Sequence, residues 1–345
     1  MFRGDHSIPL AARGYGRDGK GLRFGCSEVT IPSPAKKQRI LICGGSGFLG
    51  RALALELDRL HAKVTLTYHR RVPQDLPPTI RVLPLDVRHP DAARDIIERV
   101  RPSALYHLAA DTRVQHDMRL LVPQLETNVL GGARLLEAAA TLSIPRIIWV
   151  STCEEYGEGP VPFHEDQYPD PLSPYSLGKL AGTFMAQMAA KTFDVPILIL
   201  RPFLTYGPRQ PPHRFIAQAI SAALDERPFS MTSGEQTRDL VYIDDTIDAM
   251  IRALACASPR GRIINICTGV GYPMIEVARR IFRLCGADPA LIRAGALPQR
   301  ARESYRFYGH PARAKTLLGW EARTPLDDGL AATIAWYRDQ RRQSG

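Results

Sequence analysis

One stretch limits what this chain can fold into more than any other: Arg39-Ile-Leu-Ile-Cys-Gly-Gly-Ser-Gly-Phe-Leu-Gly50. The apolar residues Ile40 to Ile42 have the length and composition of a buried strand. Gly44, Gly47 and Gly50 then break the pattern at intervals of three. Behind them, Leu49, Ala52, Leu53 and Leu57 recur at helical spacing and predict a helix over Phe48–Leu60. Strand, glycine turn and helix form the setting of a dinucleotide-binding loop. Glycine lets the backbone approach a pyrophosphate, and the helix start offers free N–H groups and a positive dipole end. Gly44, Gly47, Phe48, Leu49 and Gly50 are therefore cofactor candidates. The spacing is G-x-x-G-x-x-G rather than G-x-G-x-x-G, and any tight strand-to-helix turn favours glycine. The loop alone leaves a purely structural turn open.

Past the loop, strand and helix patterns alternate. Strands are expected at Val64–Tyr68, Ile80–Leu85, Ala104–Leu108, Arg146–Ser151 and Pro196–Arg201. Helices are expected at Asp91–Arg101, from about Arg119 to Thr141, and at Pro174–Phe193. Repeated βα units predict an α/β fold: a Rossmann-type, doubly wound parallel sheet with ligands outside the C-terminal strand ends. Beyond Arg201, Pro and Gly become dense, and helices near Arg214–Glu226, Met274–Leu284 and Pro325–Arg341 read as a smaller α/β lobe. The expected division is a Rossmann domain over 38–201, with 241–269 returning to it, and the smaller lobe from 202–240 and 270–345. Residues 1–37 lack periodicity and read as a disordered N-terminal extension.

The chain has 345 residues, of which 45% are hydrophobic and 23% charged, as in a soluble globular protein. No apolar run reaches the ~20 residues of a membrane helix, so no membrane partner is expected. The formal charge is +10. Seven basic and three acidic residues up to Lys37 supply +4 of it, leaving +6 for the rest. That balance suits phosphate-bearing small molecules. No dense basic run is interleaved with aromatics, which argues against nucleic acid. Cysteines at 26, 43, 153, 256, 267 and 285 form no CxxC pair. No metal site is expected, and a reducing cytoplasm suits them.

Several residues carry chemistry. At the end of the second strand an acid would bond the ribose of NAD, whereas arginine accommodates the 2′-phosphate of NADP. This chain has Tyr68-His69-Arg70-Arg71 there. Arg70 and Arg71 favour NADP over NAD, and the alternative is a basic surface turn. Asp86, with Val87 beside it, follows the third strand and could meet the adenine amino group or simply cap a turn. Leu108, Ala109 and Ala110 end the fourth strand, small enough for a cofactor to lie close. The fifth strand ends in Ser151-Thr-Cys-Glu-Glu-Tyr-Gly157, and Tyr175-Ser-Leu-Gly-Lys179 opens the next helix. Tyr175 and Lys179 share a helix face. An ammonium beside a phenol lowers its pKa, so Tyr175 could pass a proton to or from a sugar hydroxyl, with Thr152 on the same oxygen.

Together these segments resemble the extended short-chain dehydrogenase/reductase family, specifically its nucleotide-sugar epimerases, dehydratases and reductases. The resemblance runs from about Arg39 to Arg338. It also rests on His-Leu-Ala-Ala (107–110), Thr-Asn-Val (127–129), Arg-Pro-Phe-Leu-Thr-Tyr-Gly-Pro-Arg-Gln (201–210) and Gln-Thr-Arg-Asp-Leu-Val-Tyr-Ile-Asp-Asp (236–245). It implies a nicotinamide cofactor, an NDP-sugar held by the smaller lobe, and Thr152, Tyr175 and Lys179 as catalytic positions. Arg238 and Arg300 match positions that pair with the substrate diphosphate, and Arg209 joins the substrate candidates. Many relatives pair through helices equivalent to 119–141 and 174–193, which implies a homodimer. Departures from the pattern are Leu204, where relatives carry Asn, and His310, near a frequent Asp. Cys153-Glu154 stands where hexose 4,6-dehydratases often have Asp-Glu. Glu154 reads either as a base near the sugar ring or as a structural carboxylate.

The expected activity is that of an NAD(P)-dependent nucleotide-sugar epimerase or dehydratase, working by hydride transfer at C4 of an NDP-hexose. An NADPH-dependent reductase of 4-keto sugars is the alternative enzyme, and an NAD(P)-binding redox sensor the alternative without catalysis.

Overall fold

The computed structural model describes residues 37–257, 259–299 and 304–344. Residues 1–36 of the expected disordered extension and Arg300, a substrate candidate, lie outside the described residues. The first half of the main sheet comprises β1 (Arg39–Cys43), α1 (Phe48–Arg59), β2 (Lys63–Tyr68), β3 (Arg81–Pro84), α2 (Ala92–Val100) and β4 (Ala104–His107). A helical run follows: a 3-10 turn (Met118–Leu120), α3 (Leu121–Gln124), a π-helical turn (Leu125–Leu130) and α4 (Gly131–Thr141). Next come β5 (Ile147–Val150), a 3-10 turn (Cys153–Tyr156), α5 (Pro174–Thr192) and β6 (Ile197–Pro202). The chain continues through β7 (Leu204–Tyr206), α6 (Phe215–Leu224), β8 (Phe229–Ser230), β9 (Thr237–Arg238), β10 (Leu240–Tyr242), α7 (Ile243–Ala253) and β11 (Arg262–Ile266). It ends in β12 (Tyr272–Pro273), α8 (Met274–Cys285), β13 (Ile292–Arg293), α9 (Ala312–Leu318) and α10 (Leu326–Ser344).

Seven strands form one parallel sheet in the order β11-β6-β5-β4-β1-β2-β3. Every residue of β4, β5 and β6 is buried, as a parallel sheet covered on both faces requires. Leu53 and Leu57 of α1 and Ile247 and Met250 of α7 cover one face; Ile96, Leu135 and Ala186 from α2, α4 and α5 cover the other. Strand order reverses between β1 and β4, where Cys43 pairs with His107. In doubly wound sheets ligands bind at such a switch point, outside the C-terminal strand ends.

Two features differ from the sequence expectation. The helix expected from Arg119 to Thr141 contains the π turn, which winds in an extra residue. Its Asn128 is buried and its side chain accepts from Asp111 N at 2.8 Å and donates to Asp111 O at 3.1 Å. Those backbone groups lie just past β4 and have no strand partner, so Asn128 satisfies them. Second, segment 305–310 forms a strap. Thr237 N donates to Tyr305 O at 2.8 Å, and Asp239 N to Phe307 O at 3.0 Å. On its other side Phe163 N donates to Tyr308 O, and His310 N to Phe163 O, both at 2.9 Å. Such short pairings carry no apolar period for a sequence reading to find.

Candidate active site

The glycine turn is built by close approach. Gly44 has φ +84°, and a Cβ there would stand 2.4 Å from Ala109 N on the neighbouring strand end. A Cβ on Gly50 would meet Gly45 Cα at 2.6 Å. Gly47 differs: its Cβ would meet only Gly44 O, at 3.5 Å. Gly47 is also the N-cap of α1, makes no side-chain cap bond, and no acid stands in the first helical turn. The first turn of α1 thus has neither a capping side chain nor an acid, an arrangement that suits a pyrophosphate.

Past the ends of β2 and β3, the Asp86 carboxylate is already engaged. Asp86 accepts from Arg88 N at 3.0 Å, from Arg88 Nε at 2.9 Å and from the Arg88 terminal nitrogen at 2.6 Å. The Nε2 of His69 stands 3.2 Å away. The Arg88 hydrogen bonds hold this carboxyl well below the usual range. Val87 is buried in the core beside Leu85. Arg70 lies near enough to Asp111 to help lower its pKa, after Arg113, while Arg71 is exposed. Arg51, next to Gly50, donates to the carbonyls of Gln74 and Asp75 and pins the loop that follows β2.

The catalytic candidates meet at the end of β5. Ser173 caps α5 in a reciprocal capping box with Ser176, and Pro174 opens the helix, so Tyr175 stands in the first turn. The Thr152 hydroxyl lies close enough to the Tyr175 phenol to act on it. Thr152 is itself an N-cap and accepts from Glu154 N at 3.3 Å. Glu154 is exposed, and its charge acts on Tyr175. Lys179 is buried and its Nζ donates to Val150 O at 2.7 Å.

This geometry corrects one expectation. Burial pushes the Tyr175 phenol above its ordinary pKa, with Thr152 opposing. The shared helix face brings the two side chains to one side, but the ammonium turns toward the β5 carbonyl. Burial lowers Lys179 to about 8, with Glu155 opposing. His107 falls to about 3 by burial and the Lys179 charge, so its ring is neutral at physiological pH. Cys153 is buried and its thiol pushed up, which keeps it neutral.

Glu155, Arg201 and Arg214 are charged neighbours to which the sequence alone assigns no role. Glu155 and Arg201 form a fully buried ion pair beneath Thr152. Arg214, at the N-cap of α6, acts on the Tyr175 phenol as a cation. Asp239 is buried and accepts from Thr268 N at 2.8 Å, Thr268 Oγ1 at 2.7 Å and Gly269 N at 2.9 Å. It ties β9 and β10 to the end of β11. Arg238 donates to Thr237 O and Ser304 O and lies over Phe307. Its charge reaches Cys153, so it belongs to the Thr152 end of the site. Arg209 is exposed at φ 66°, lies 5.9 Å over the Trp336 ring, and acts on Arg51 of α1. Among the described residues no group of three or more His, Cys, Asp or Glu could hold a metal ion, and no helix is long and apolar enough to cross a membrane.

A doubly wound sheet with a glycine cradle at its switch point and a Thr–Tyr pair beside it is the frame of a short-chain dehydrogenase/reductase. Residues 40–267 match the NAD dependent epimerase/dehydratase family, and the chain belongs to it. A dTDP-glucose 4,6-dehydratase of Streptomyces niveus is 28% identical over 88% of this chain and 94% of its own length. A UDP-glucose 4-epimerase of Mycolicibacterium smegmatis is 28% identical over 88% of this chain and 99% of its own. Among solved structures, the UDP-glucose 4-epimerase of Thermotoga maritima with UDP-glucose superposes with a TM-score of 0.82. It is 26% identical and covers 88% of this chain and 99% of its own. The dTDP-glucose 4,6-dehydratase of Streptomyces venezuelae, with NAD bound, gives 0.81 at 26% identity, over 88% and 98%. Homologues are thus nucleotide-sugar 4-epimerases and 4,6-dehydratases.

Proposed function

We propose that this chain is an NAD(P)-dependent nucleotide-sugar epimerase or dehydratase that works at C4 of an NDP-hexose. The observation that carries the reading is the placement of Tyr175 beside Thr152 at the C-terminal edge of the sheet, near enough for that hydroxyl to act on the phenol. In this reading the cradle at Gly44, Gly47 and Gly50 holds the pyrophosphate of the cofactor, beside Phe48, Leu49 and the small residues Leu108, Ala109 and Ala110. A nicotinamide bound there supplies two-electron chemistry, accepting or returning hydride at C4. Tyr175 moves the proton of the C4 hydroxyl, and Thr152 binds the same oxygen. The phenol, raised by burial, is a proton donor at neutral pH, which suits return of the proton to a 4-keto carbon's oxygen. Glu154, exposed beside them, is the base for a ring C–H when elimination follows.

The segment from 202 to 240 and from 270 onward forms the proposed sugar-nucleotide lobe, with Arg209, Arg238 and Arg300 for the diphosphate. Arg70 and Arg71 are the proposed contacts of a 2′-phosphate, so NADP is the favoured cofactor. Met118, Val122, Leu130, Leu177, Phe184 and Met188 are exposed apolar residues on the 118–130 run and α5. They support a homodimer through these helices, checked by light scattering.

The test incubates purified protein with UDP-, dTDP-, GDP- and CDP-hexoses, following absorbance at 340 nm and products by NMR. A new hexose epimer or a 4-keto-6-deoxy sugar supports the proposal. NADPH consumption only with a 4-keto sugar supports the reductase alternative. Tight nicotinamide binding with no sugar converted sinks both.

A further inference from the structure

Glu155 plays no part in the proton transfer outlined above, yet its carboxylate is 0% exposed and its partner Arg201 2%. Its Oε2 accepts from Arg201 Nε at 2.8 Å. Its Oε1 accepts from Thr183 Oγ1 at 2.8 Å and from Ser151 Oγ. Thr183 lies one turn beyond Lys179 on the same face of α5. Ser151 follows Val150, whose carbonyl receives the Lys179 ammonium at 2.7 Å. One closed set of hydrogen bonds therefore joins the end of β5, the turn that carries Thr152 and Glu154, and the helix that carries Tyr175 and Lys179. We propose that Glu155 is a positioning residue: its buried carboxylate ties the Thr152 turn to α5 and keeps the Lys179 ammonium charged.

Stability alone does not explain such a pair. Desolvation of two buried charges offsets most of their attraction, and an apolar pair of similar shape is often as stable. A buried ammonium, by contrast, needs a nearby negative charge to remain protonated. The titratable groups around Lys179 come from three elements. His107 at the end of β4 is neutral, and Tyr175 on α5 is a protonated phenol. Glu155, in the turn after β5, supplies the negative charge that acts on Lys179. Arg201 sits behind the carboxylate, on its other oxygen, and fixes its direction.

The test reads Lys179 directly. Protein carrying 13Cε-lysine is titrated by NMR, and the Lys179 signal is assigned by its loss in Lys179→Met. Its midpoint is expected at about 8 in the parent chain. In Glu155→Gln it should fall by about one unit, a tenfold change in ionisation constant. Glu155→Asp, which keeps the charge, should restore most of that shift. Glu155→Gln leaves a buried arginine without its partner, so Glu155→Gln/Arg201→Gln is titrated as well and should show the same fall. An unchanged midpoint in both glutamine variants overturns the proposal, as does a Glu155→Asp variant that titrates like Glu155→Gln. The effect on turnover rests on the function proposed above, where the alkaline limb of the rate profile should move down with Lys179. A shifted Lys179 titration in a protein that converts no nucleotide sugar supports this inference and counts only against that function.

Discussion

The glycine turn after β1 and the Thr152 turn after β5 stand at the same edge of one sheet, and they are built by opposite means. The first is made of backbone. Its shape depends on missing side chains, because Gly44 lies against Ala109 with no space for a Cβ. The second is made of side chains: Thr152, Tyr175, Lys179 and the Glu155–Arg201 pair beneath them. A backbone site fails when an atom is added, and a side-chain site fails when a functional atom is removed. The first kind should therefore break through stability and binding, the second through rate.

The sharpest test of that contrast removes one oxygen. Tyr175→Phe should lower turnover by about 10²–10⁴-fold while nicotinamide binding, followed by fluorescence titration, stays unchanged. Equal losses of both would erase the distinction. Gly44→Ala should do the reverse. A positive φ and a contact of 2.4 Å predict about 2–4 kcal/mol of lost stability in urea unfolding, with cofactor affinity falling in the folded fraction.

Lys179 brings pH into the comparison. Its folded pKa of about 8 lies below the ordinary 10.5. The folded chain therefore holds this proton less tightly than the unfolded chain. The burial penalty of the ammonium is full below pH 8 and fades as pH rises toward 10.5. The parent chain should thus gain stability relative to Lys179→Met by about 2 kcal/mol between neutral pH and pH 10, measured by urea midpoints. A gap that does not change with pH would mean that Lys179 is solvated.

Two smaller effects belong to the turn side. Arg70→Ala/Arg71→Ala should weaken NADP binding by about tenfold, with NAD unaffected. Equal affinities before and after would remove these arginines from cofactor selection. Gly47→Ala should cost less than about 1 kcal/mol of stability, since its Cβ meets only Gly44 O at 3.5 Å. It should still lower cofactor affinity, which separates the glycine that faces open space from those that hold the turn.

The same contrast sets what the sequence could reveal. Periodicity and glycine spacing made the sheet, the turn and the α5 start legible, because local rules write them into adjacent residues. Thr152, Tyr175 and Lys179 were legible through their order after the fifth strand. The Glu155–Arg201 pair was not, because 46 residues separate its members and only β5–β6 pairing joins them. Nor does an apolar stripe reveal the π turn at Leu125–Leu130: one extra residue shifts the phase only locally, and its purpose lies with Asn128 and the backbone beyond β4. The ammonium's direction is not legible either, because helical spacing fixes a face but leaves Lys179 free to choose the Val150 carbonyl.

The place of β11 has a consequence during synthesis. It pairs with β6 from Arg262 opposite Leu198 to Ile266 opposite Pro202. All six residues of β6 are buried in the finished sheet, yet about 60 residues of chain must still leave the ribosome before their outer neighbour arrives. At about 5–20 residues per second, that edge waits several seconds. Through that interval a row of unpaired amides on an apolar strand faces the crowded surroundings of the nascent chain. A ribosome stalled in the stretch before Arg262 would present this edge to chaperones, or to a second growing copy.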